Sequence, residues 1–213
     1  MNNSMYIDRN IAVIKRTLDI IIALCGIILT LPVCLIIAIM IKASSKGPIL
    51  YSQRRVGVIL PDKTTFFNML KFRTMRQGAE SNTGAVWAAA NDDRTTLVGK
   101  FLRKVRLDEI PQFINVLKGE MSIIGPRPER PEIVKQLEKD IPFYLERTYG
   151  VTPGITGLAQ VYQGYDRTLD DVRAKIAYDF AYSLSLTKLK KWLVMEISIV
   201  FKTIAIMILG RGQ

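Results

Sequence analysis

A long apolar run dominates the pattern of hydrophobic and polar positions in this 213-residue chain. No charged residue occurs between Asp19 and Lys42. As a helix, residues 20–41 would therefore present about 33 Å of apolar surface, close to the hydrocarbon thickness of a bilayer. The run is too long for the apolar region of a secretory signal peptide, and it lacks a small-residue cleavage pattern. The pattern predicts a membrane-embedded segment rather than a buried core helix.

The two flanks of this run bear on whether it crosses the membrane. Pro32 lies in the middle of the run, where it removes a backbone hydrogen bond and favours a kink. Both flanks are basic, and the positive-inside rule assigns basic flanks to the cytoplasm. A re-entrant hairpin with its break at Pro32 satisfies the rule on both sides, whereas a single span with a proline kink leaves one basic flank outside. The residues alone leave both topologies open. The flanking basic residues are Arg9, Lys15 and Arg16 before the run and Lys42, Lys46, Arg54 and Arg55 after it.

Shorter elements are predicted in the middle of the chain. Residues 44–57 are turn-rich and then β-prone, and residues 77–95 are polar and glycine-rich, which is typical of a long functional or disordered loop. Helical periodicity begins at Leu97. A second helix is expected to begin with Asp108 as its N-cap and to end at Gly119.

The last segment, residues 189–212, is apolar but contains Glu196 and Lys202. Charges inside the run argue against a second span, whereas the Lys-Lys-Trp sequence at its start suits a membrane interface. We interpret the segment as an amphipathic helix lying on the bilayer surface. A core helix of the globular domain is the alternative.

Composition narrows the chemistry. The formal net charge is +11, from 30 Lys+Arg against 19 Asp+Glu, which favours polyanionic partners such as nucleic acid, anionic lipid or phosphorylated substrates. The chain has no histidine, which excludes His-based acid/base catalysis, Ser-His or Cys-His nucleophile pairs and His-ligated metal. Its two cysteines, Cys25 and Cys34, both lie in the apolar run, so neither a zinc site nor a disulfide framework is expected. The apolar run argues against a nucleic-acid-binding protein.

An acidic pair, Asp108 and Glu109, follows a run of positive charge in the sequence KVRLDEIPQF. A helix N-terminus and the nearby Arg103 and Arg106 would stabilise both carboxylates as anions. Such a pair can hold a divalent hard cation and present one carboxylate as a nucleophile to a phosphoryl group. The structural alternative is a helix cap followed by a first-turn glutamate.

Two stretches rich in proline and glycine are candidates for substrate contacts. In MSIIGPRPERPE, residues 121–132, prolines fix the backbone around Arg127 and Arg130, as bidentate phosphate recognition requires. In GVTPGITGLAQVYQG, residues 150–164, glycine and proline surround small and hydroxyl residues, and Gln160 is a candidate substrate contact. Each stretch is also compatible with a purely structural turn.

Taken together, these motifs resemble one family, the bacterial sugar transferases, which are monotopic polyprenyl-phosphate phosphoglycosyl transferases. The chain departs from the family pattern at Leu31, where a serine commonly precedes the proline at the break, and at Leu158, where a tryptophan often follows Thr-Gly. Its size is similar to that of the minimal catalytic form, without an additional N-terminal transmembrane bundle. The resemblance covers nearly the whole chain from about residue 15, through the matching elements KRTLD, GPILYSQRRVG, LKFRTM, NDDRTTLVGKFLRKVRLDEIPQFINVLKGEMSIIGPRP and TPGITGLAQ.

The resemblance implies a reaction. A sugar-1-phosphate is expected to pass from a nucleoside diphosphate sugar, usually a UDP-sugar, to undecaprenyl phosphate with release of UMP, as the first membrane step of bacterial glycoconjugate synthesis. Asp108 would be the nucleophile that forms a covalent phospho-sugar intermediate. Glu109 would be its metal-binding partner, and the pair would hold Mg²⁺, with Mn²⁺ as an alternative. The expected phosphate or substrate contacts are Lys71, Arg73, Arg103, Arg127 and Gln160.

The resemblance also implies the organisation of the chain, a mainly α fold with a small β element. Residues 1–43 are expected to hold the re-entrant membrane helix, residues 44–188 a compact cytosolic catalytic domain, and residues 189–213 the amphipathic membrane-associated helix. The expected location is the cytoplasmic face of the bacterial inner membrane, where anionic lipids would be partners. Nucleic acid is not expected, and a homodimer is left open. The rival class is a non-enzymatic scaffold on the membrane surface.

Overall fold

The computed structural model describes residues 7–79, 93–164 and 168–209, and it is mainly helical with two small sheets, as predicted. Most of the loop predicted at residues 77–95 lies outside the described residues. The elements in chain order are α1 (Arg9–Ser44), β1 (Leu50–Ile59), β2 (Thr64–Phe72), α2 (Leu97–Lys104), α3 (Gln112–Lys118), β3 (Ser122–Ile124), α4 (Pro131–Asp140), β4 (Gly154–Thr156), α5 (Leu158–Tyr162), α6 (Leu169–Ser185) and α7 (Leu189–Ile208).

Helix α1 is continuous and passes through Pro32. Its N-terminus is capped by the Asp8 carboxylate, which accepts hydrogen bonds from the backbone N–H groups of Asn10 and Ile11 at 2.9 and 3.2 Å. The helix is long and apolar enough to cross a membrane. The expected break at Pro32 is not an interruption of helical structure, and re-entry stays a prediction.

One side of α1 packs against the rest of the protein at both of its ends. Near the N-terminus, Ile11 joins the core formed with α6 and α7. Near the C-terminus, Ile37 and Ile41 pack with Phe72 and Leu102. The opposite side of the helix is apolar and exposed, with side chains that include Ile28, Leu29 and Ile39. Burying such a surface in lipid is favourable, whereas exposing it to water is costly.

Polar side chains in the first turns of α1 fix the helix to the globular part. The Arg16 guanidinium donates to the carbonyls of Val116 and Leu117 at 2.6 and 2.9 Å, at the end of α3. The buried Asp19 carboxylate accepts from the Ser122 hydroxyl at 3.0 Å and from the Ile123 N–H at 2.9 Å, on β3. The KRTLD motif therefore connects α1 to the elements that surround the acidic pair.

The two sheets are small. Strands β1 and β2 form an antiparallel hairpin, and β3 and β4 form a short parallel pair. The predicted turn at residues 121–132 thus begins as a strand, because β3 pairs with the chain at Gly154 and Thr156. In the other glycine-rich stretch, Leu158 is buried in the core and begins α5.

The predicted start of the second helix is wrong, and its predicted end is confirmed. Asp108 is not an N-cap, because it lies in a 3-10 turn, Leu107–Glu109, and α3 begins only at Gln112. The cause is Pro111, which has no N–H to bond the Leu107 carbonyl and so stops the α-helical ladder. Gly119 ends α3 with φ +81°, in the left-handed conformation that favours glycine.

Helix α7 combines features of both interpretations of the C-terminal segment. Trp192 and Ile199 are fully buried in the core, as in a core helix. Its other side leaves Val194, Phe201 and Ile208 exposed. One side of α7 is therefore buried in the core, and the side that faces away from the core is apolar rather than charged.

Candidate active site

A cavity of about 550 Å³ brings the predicted site residues together. It lies between the β1–β2 hairpin, the connection from α2 to α3, the turn after β3, and helices α5 and α6. Among the residues that the structure describes, three carboxylates line it: Asp108, Glu109 and Glu129. The cationic lining is much larger and consists of Arg55, Lys71, Arg73, Arg76, Arg94, Arg103, Arg106, Arg127, Arg130 and Lys175. Such a cavity favours a polyanionic ligand such as a diphosphate.

The two members of the acidic pair are both buried but have different surroundings. Glu109 Oε1 lies 2.8 Å from Lys71 Nζ and 3.2 Å from both terminal nitrogens of Arg127. The Asp108 carboxylate accepts no hydrogen bond from any residue that the structure describes. Glu109 is therefore held in place by two cations, and Asp108 is the carboxylate left available to a ligand.

The same difference appears in the pKa values. Burial alone would raise the pKa of Glu109, but Lys71 and Arg127 outweigh it and hold that pKa far below its usual range. Burial raises the pKa of Asp108, with Lys71 as the main opposing charge. The sequence predicted that both carboxylates are stabilised as anions. The lowered pKa of Glu109 agrees with this prediction, and the raised pKa of Asp108 does not. Sequence reasoning considered the arginines and the helix end but not the cost of burial.

The remaining predicted residues line the same cavity but differ in what they bind. Arg103 donates from Nε to the Thr74 hydroxyl at 2.9 Å. Arg73 uses both terminal nitrogens on the carbonyls that follow α1, those of Ser45 and Lys46, at 2.8 and 2.6 Å. Gln160 donates to the Ile155 carbonyl at 3.0 Å. Arg73 and Gln160 therefore support the backbone, and their contacts with a substrate stay a prediction.

Sequence reasoning missed a second group of charged residues, centred on Glu129, of which several line the cavity. Glu129 accepts a hydrogen bond from Lys175 at 2.8 Å, and Arg147 and Arg55 each approach its carboxylate to 3.9 Å. Burial would raise the pKa of Glu129, but Lys175 and Arg147 lower it to about 2. Arg147 also pairs with Asp179 of α6. Glu129 could have been found in the GPRPER sequence, whereas the other members carry no local signal.

The donor set for a metal ion is small. Among the described residues no group of three or more His, Cys, Asp or Glu side chains could hold a metal ion. Asp108 and Glu109 can supply two carboxylates, and Glu109 Oε1 is already shared by Lys71 and Arg127. Mg²⁺ typically binds through one or two carboxylates together with substrate phosphates and water. The pair fits a magnesium ion that arrives with a phosphorylated ligand.

Comparison with known proteins identifies the family of this chain. The sequence profile of the bacterial sugar transferases matches residues 10–210. The chain is 47% identical over 201 residues to a UDP-N-acetylgalactosamine-undecaprenyl-phosphate N-acetylgalactosaminephosphotransferase of Aeromonas hydrophila. The matched region covers 94% of this chain and 45% of that protein. It is 40% identical over 195 residues to a UDP-glucose:undecaprenyl-phosphate glucose-1-phosphate transferase of Klebsiella pneumoniae, covering 90% and 39%.

A shorter relative matches over most of its own length. The exopolysaccharide production protein ExoY of Sinorhizobium fredii is 35% identical over 214 residues, covering 93% of this chain and 87% of that protein. By contrast, the chain spans less than half the length of the Aeromonas and Klebsiella relatives.

Proposed function

The chain belongs to the bacterial sugar transferase family, and we propose that it transfers a sugar-1-phosphate from a UDP-sugar to undecaprenyl phosphate with release of UMP. The observation that carries this proposal is the buried Asp108–Glu109 pair in a strongly cationic cavity. A membrane-surface scaffold has no need of a buried carboxylate that accepts no hydrogen bond from the described residues. The names of the relatives support UDP-sugars and undecaprenyl phosphate as the substrates.

The reaction is proposed to proceed in two displacements. An oxygen of the Asp108 carboxylate forms a bond to the β-phosphorus, and the bond from that phosphorus to the oxygen bridging the α-phosphate breaks, so that UMP leaves. A phosphate oxygen of undecaprenyl phosphate then attacks the same phosphorus and releases Asp108. The sugar and its phosphate end on the lipid, and the enzyme is regenerated.

The geometry favours Asp108 over Glu109 as the nucleophile. Glu109 Oε1 carries contacts from Lys71 and Arg127, and its lowered pKa makes it a weak nucleophile. Asp108 has a raised pKa and no such contacts from the described residues, so its lone pairs are more basic and more accessible.

The cations around the pair have a separate task. Lys71, Arg103 and Arg127 line the cavity where they can neutralise charge on the diphosphate as the leaving group departs. Asp108 and Glu109 would hold Mg²⁺, or Mn²⁺ as the alternative, together with the substrate phosphates. The ion, when bound, supplies further charge neutralisation. Such chemistry needs positioning and electrostatics rather than acid/base groups, which suits a chain without histidine.

The apolar sides of α1 and α7 would place the cavity at the membrane interface. There a soluble nucleotide sugar and a lipid phosphate can reach one carboxylate without either leaving its phase. Both ends of α1 contact the same globular part, through Ile11 and through Ile41, which supports a re-entrant helix with both ends at the cytoplasmic face of the inner membrane. The net charge of +11 favours association with anionic lipids.

Topology can be tested by labelling. Single-cysteine reporters at the exposed positions Asn10 and Lys63, in a chain without Cys25 and Cys34, should both resist a membrane-impermeant maleimide in intact cells and react after lysis. Labelling of one reporter from outside would establish a spanning helix.

The activity is tested by measuring UMP release from a panel of UDP-sugars by the detergent-solubilised protein, with and without undecaprenyl phosphate. UMP release that depends on one UDP-sugar and yields a lipid-linked sugar phosphate is the expected result. Binding to liposomes without UMP release from any sugar would favour the scaffold.

A further inference from the structure

The turn that carries Arg127 cannot hold its own shape by ordinary backbone pairing. Pro126 and Pro128 flank Arg127, and neither has an N–H group to donate. Buried carbonyl groups without partners are costly, so the carbonyls of this turn must find donors elsewhere.

Each of four successive carbonyls in this turn accepts a hydrogen bond from a distant part of the chain. The Pro126 carbonyl accepts from the Gly154 N–H at 2.9 Å, and the Glu129 carbonyl accepts from the Val56 N–H at 2.9 Å. Between them, two arginine side chains supply the donors. Arg147 Nη2 donates to the Arg127 carbonyl and Arg55 Nη1 to the Pro128 carbonyl, both at 3.1 Å.

Arg147 is itself fixed more firmly than a surface arginine. It is 2% exposed, its Nη1 pairs with the buried Asp179 carboxylate, and its guanidinium lies over the Tyr144 ring at 4.6 Å. Asp179 belongs to α6, so Arg147 connects this helix to the backbone of the turn after β3, in addition to the contact of Lys175 with the Glu129 side chain. The planar fork of arginine can serve a carboxylate and a carbonyl together, which a lysine ammonium on a flexible stem does less well.

We propose that Arg147 is a positioning residue that sets the backbone at Arg127 and thereby places the Arg127 guanidinium against Glu109. The connected contacts run from Asp179 through Arg147 to the Arg127 carbonyl, and from the Arg127 side chain to Glu109 at 3.2 Å. Arg147 does not line the cavity. Its effect on turnover is therefore exerted through Arg127. The inference rests on the proposed function, because it assigns Arg127 a task in that reaction.

The test is a double-mutant cycle on UMP release between Arg147→Lys and Arg127→Lys. Arg147→Lys alone should lower kcat about 100-fold, the loss typical of an ångström-scale misplacement of a catalytic group, while KM changes less than about threefold. In the Arg127→Lys background the same change should cost less than about threefold, because the group that it positions has already been altered. If the fold-loss of kcat in the double variant equals the product of the two single fold-losses, the proposal is wrong. An unchanged kcat in Arg147→Lys would also overturn it.

A matched control separates positioning from general weakening of the fold. Arg16→Lys also removes an arginine fork from backbone carbonyls, those of Val116 and Leu117, but away from the cavity. It should leave kcat within about threefold, in both the wild-type and the Arg127→Lys backgrounds. If Arg147→Lys does not fold, Asp179→Asn replaces it in the cycle, since the neutral amide releases Arg147 with little change of shape.

A second readout needs no activity. The thermal unfolding midpoints of the wild type, Arg147→Lys, Arg127→Lys and the double variant should also be non-additive. Additive changes in the midpoint would contradict the inference. If no UDP-sugar yields UMP with the wild-type protein, the proposed function fails, while the unfolding cycle still decides whether Arg147 and Arg127 act as one unit.

Discussion

Two glutamates in this protein have similar local hydrogen bonding, but the proposed function gives them different roles. Glu109 Oε1 accepts contacts from Lys71 and from both terminal nitrogens of Arg127. Glu196 Oε1, on α7, accepts from Lys15 at 3.1 Å, from the Tyr182 hydroxyl at 2.7 Å and from the Trp192 N–H at 2.8 Å. Each oxygen is saturated by donors, so saturation alone does not distinguish a reaction centre from a structural anchor.

The neighbours of the two glutamates make the difference. Glu196 is hydrogen-bonded to Tyr182 and Trp192 of the hydrophobic core, and its contact with Lys15 joins α7 to α1. Glu109 stands beside a second carboxylate, Asp108, that accepts no hydrogen bond from the described residues, and both line the cavity. In the proposed function, Glu109 differs from Glu196 because a second carboxylate, Asp108, remains available next to it. The predictions that follow test this contrast, beginning with the largest effect.

Asp108→Asn should abolish turnover, because an amide cannot accept the phosphoryl group. The expected loss of UMP release is on the order of 10⁴-fold or more, as for other covalent nucleophiles. Wild-type protein incubated with the correct UDP-sugar and Mg²⁺, but without lipid acceptor, should gain the mass of one sugar phosphate, and the variant should not. A variant that keeps more than a few per cent of wild-type turnover would show that Asp108 is not the nucleophile.

Glu109→Gln should lower kcat/KM about 100-fold, in the range found when one electrostatic group is removed from a preorganised site. The neutral amide loses its attraction for Lys71 and Arg127, and it is a poorer magnesium ligand. The measurement is UMP release as a function of Mg²⁺ concentration, where the variant should need more Mg²⁺ to reach its maximum. An unchanged Mg²⁺ dependence would argue against Glu109 as a metal ligand.

The pH dependence of kcat/KM should report the raised pKa of Asp108. Below that pKa the carboxyl group is protonated and cannot attack, so kcat/KM should fall by about tenfold for each pH unit. Glu109 should not contribute to this acid limb, because its pKa lies far below its usual range. A limb at the pKa of an ordinary, exposed aspartate would contradict the effect of burial. Glu196→Gln is the control and should leave the limb in place.

The parts of this molecule that sequence could predict are those with local signals. The apolar run between Asp19 and Lys42 predicted the long helix α1, and Gly119 predicted the end of α3. The acidic pair, Lys71 and Arg127 were predicted from motifs that resemble a family, and the structure brings these residues together.

The parts that sequence could not predict depend on distant pairings and on burial. Arg147 meets Asp179 across 32 positions, and Glu129 meets Lys175 across 46, with no periodicity to indicate either pair. The hydrogen bonds from Arg73 to the carbonyls after α1 depend on where that helix ends in space. The raised pKa of Asp108 comes mainly from burial, which a charge pattern does not reveal.

The smallest effect on activity is expected from Glu196→Gln, and this variant tests the contrast most directly. The glutamine oxygen can still accept from Tyr182 or Trp192, but the ion pair to Lys15 is lost. The free energy of unfolding should fall by about 1–2 kcal/mol, the usual range for one partly buried hydrogen-bonded contact. Hydrogen exchange at the first turns of α1 should become faster, while UMP release stays within about threefold of wild type. If instead turnover fell as far as in Glu109→Gln with stability unchanged, Glu196 would belong to the reaction centre and the contrast between the two glutamates would be wrong.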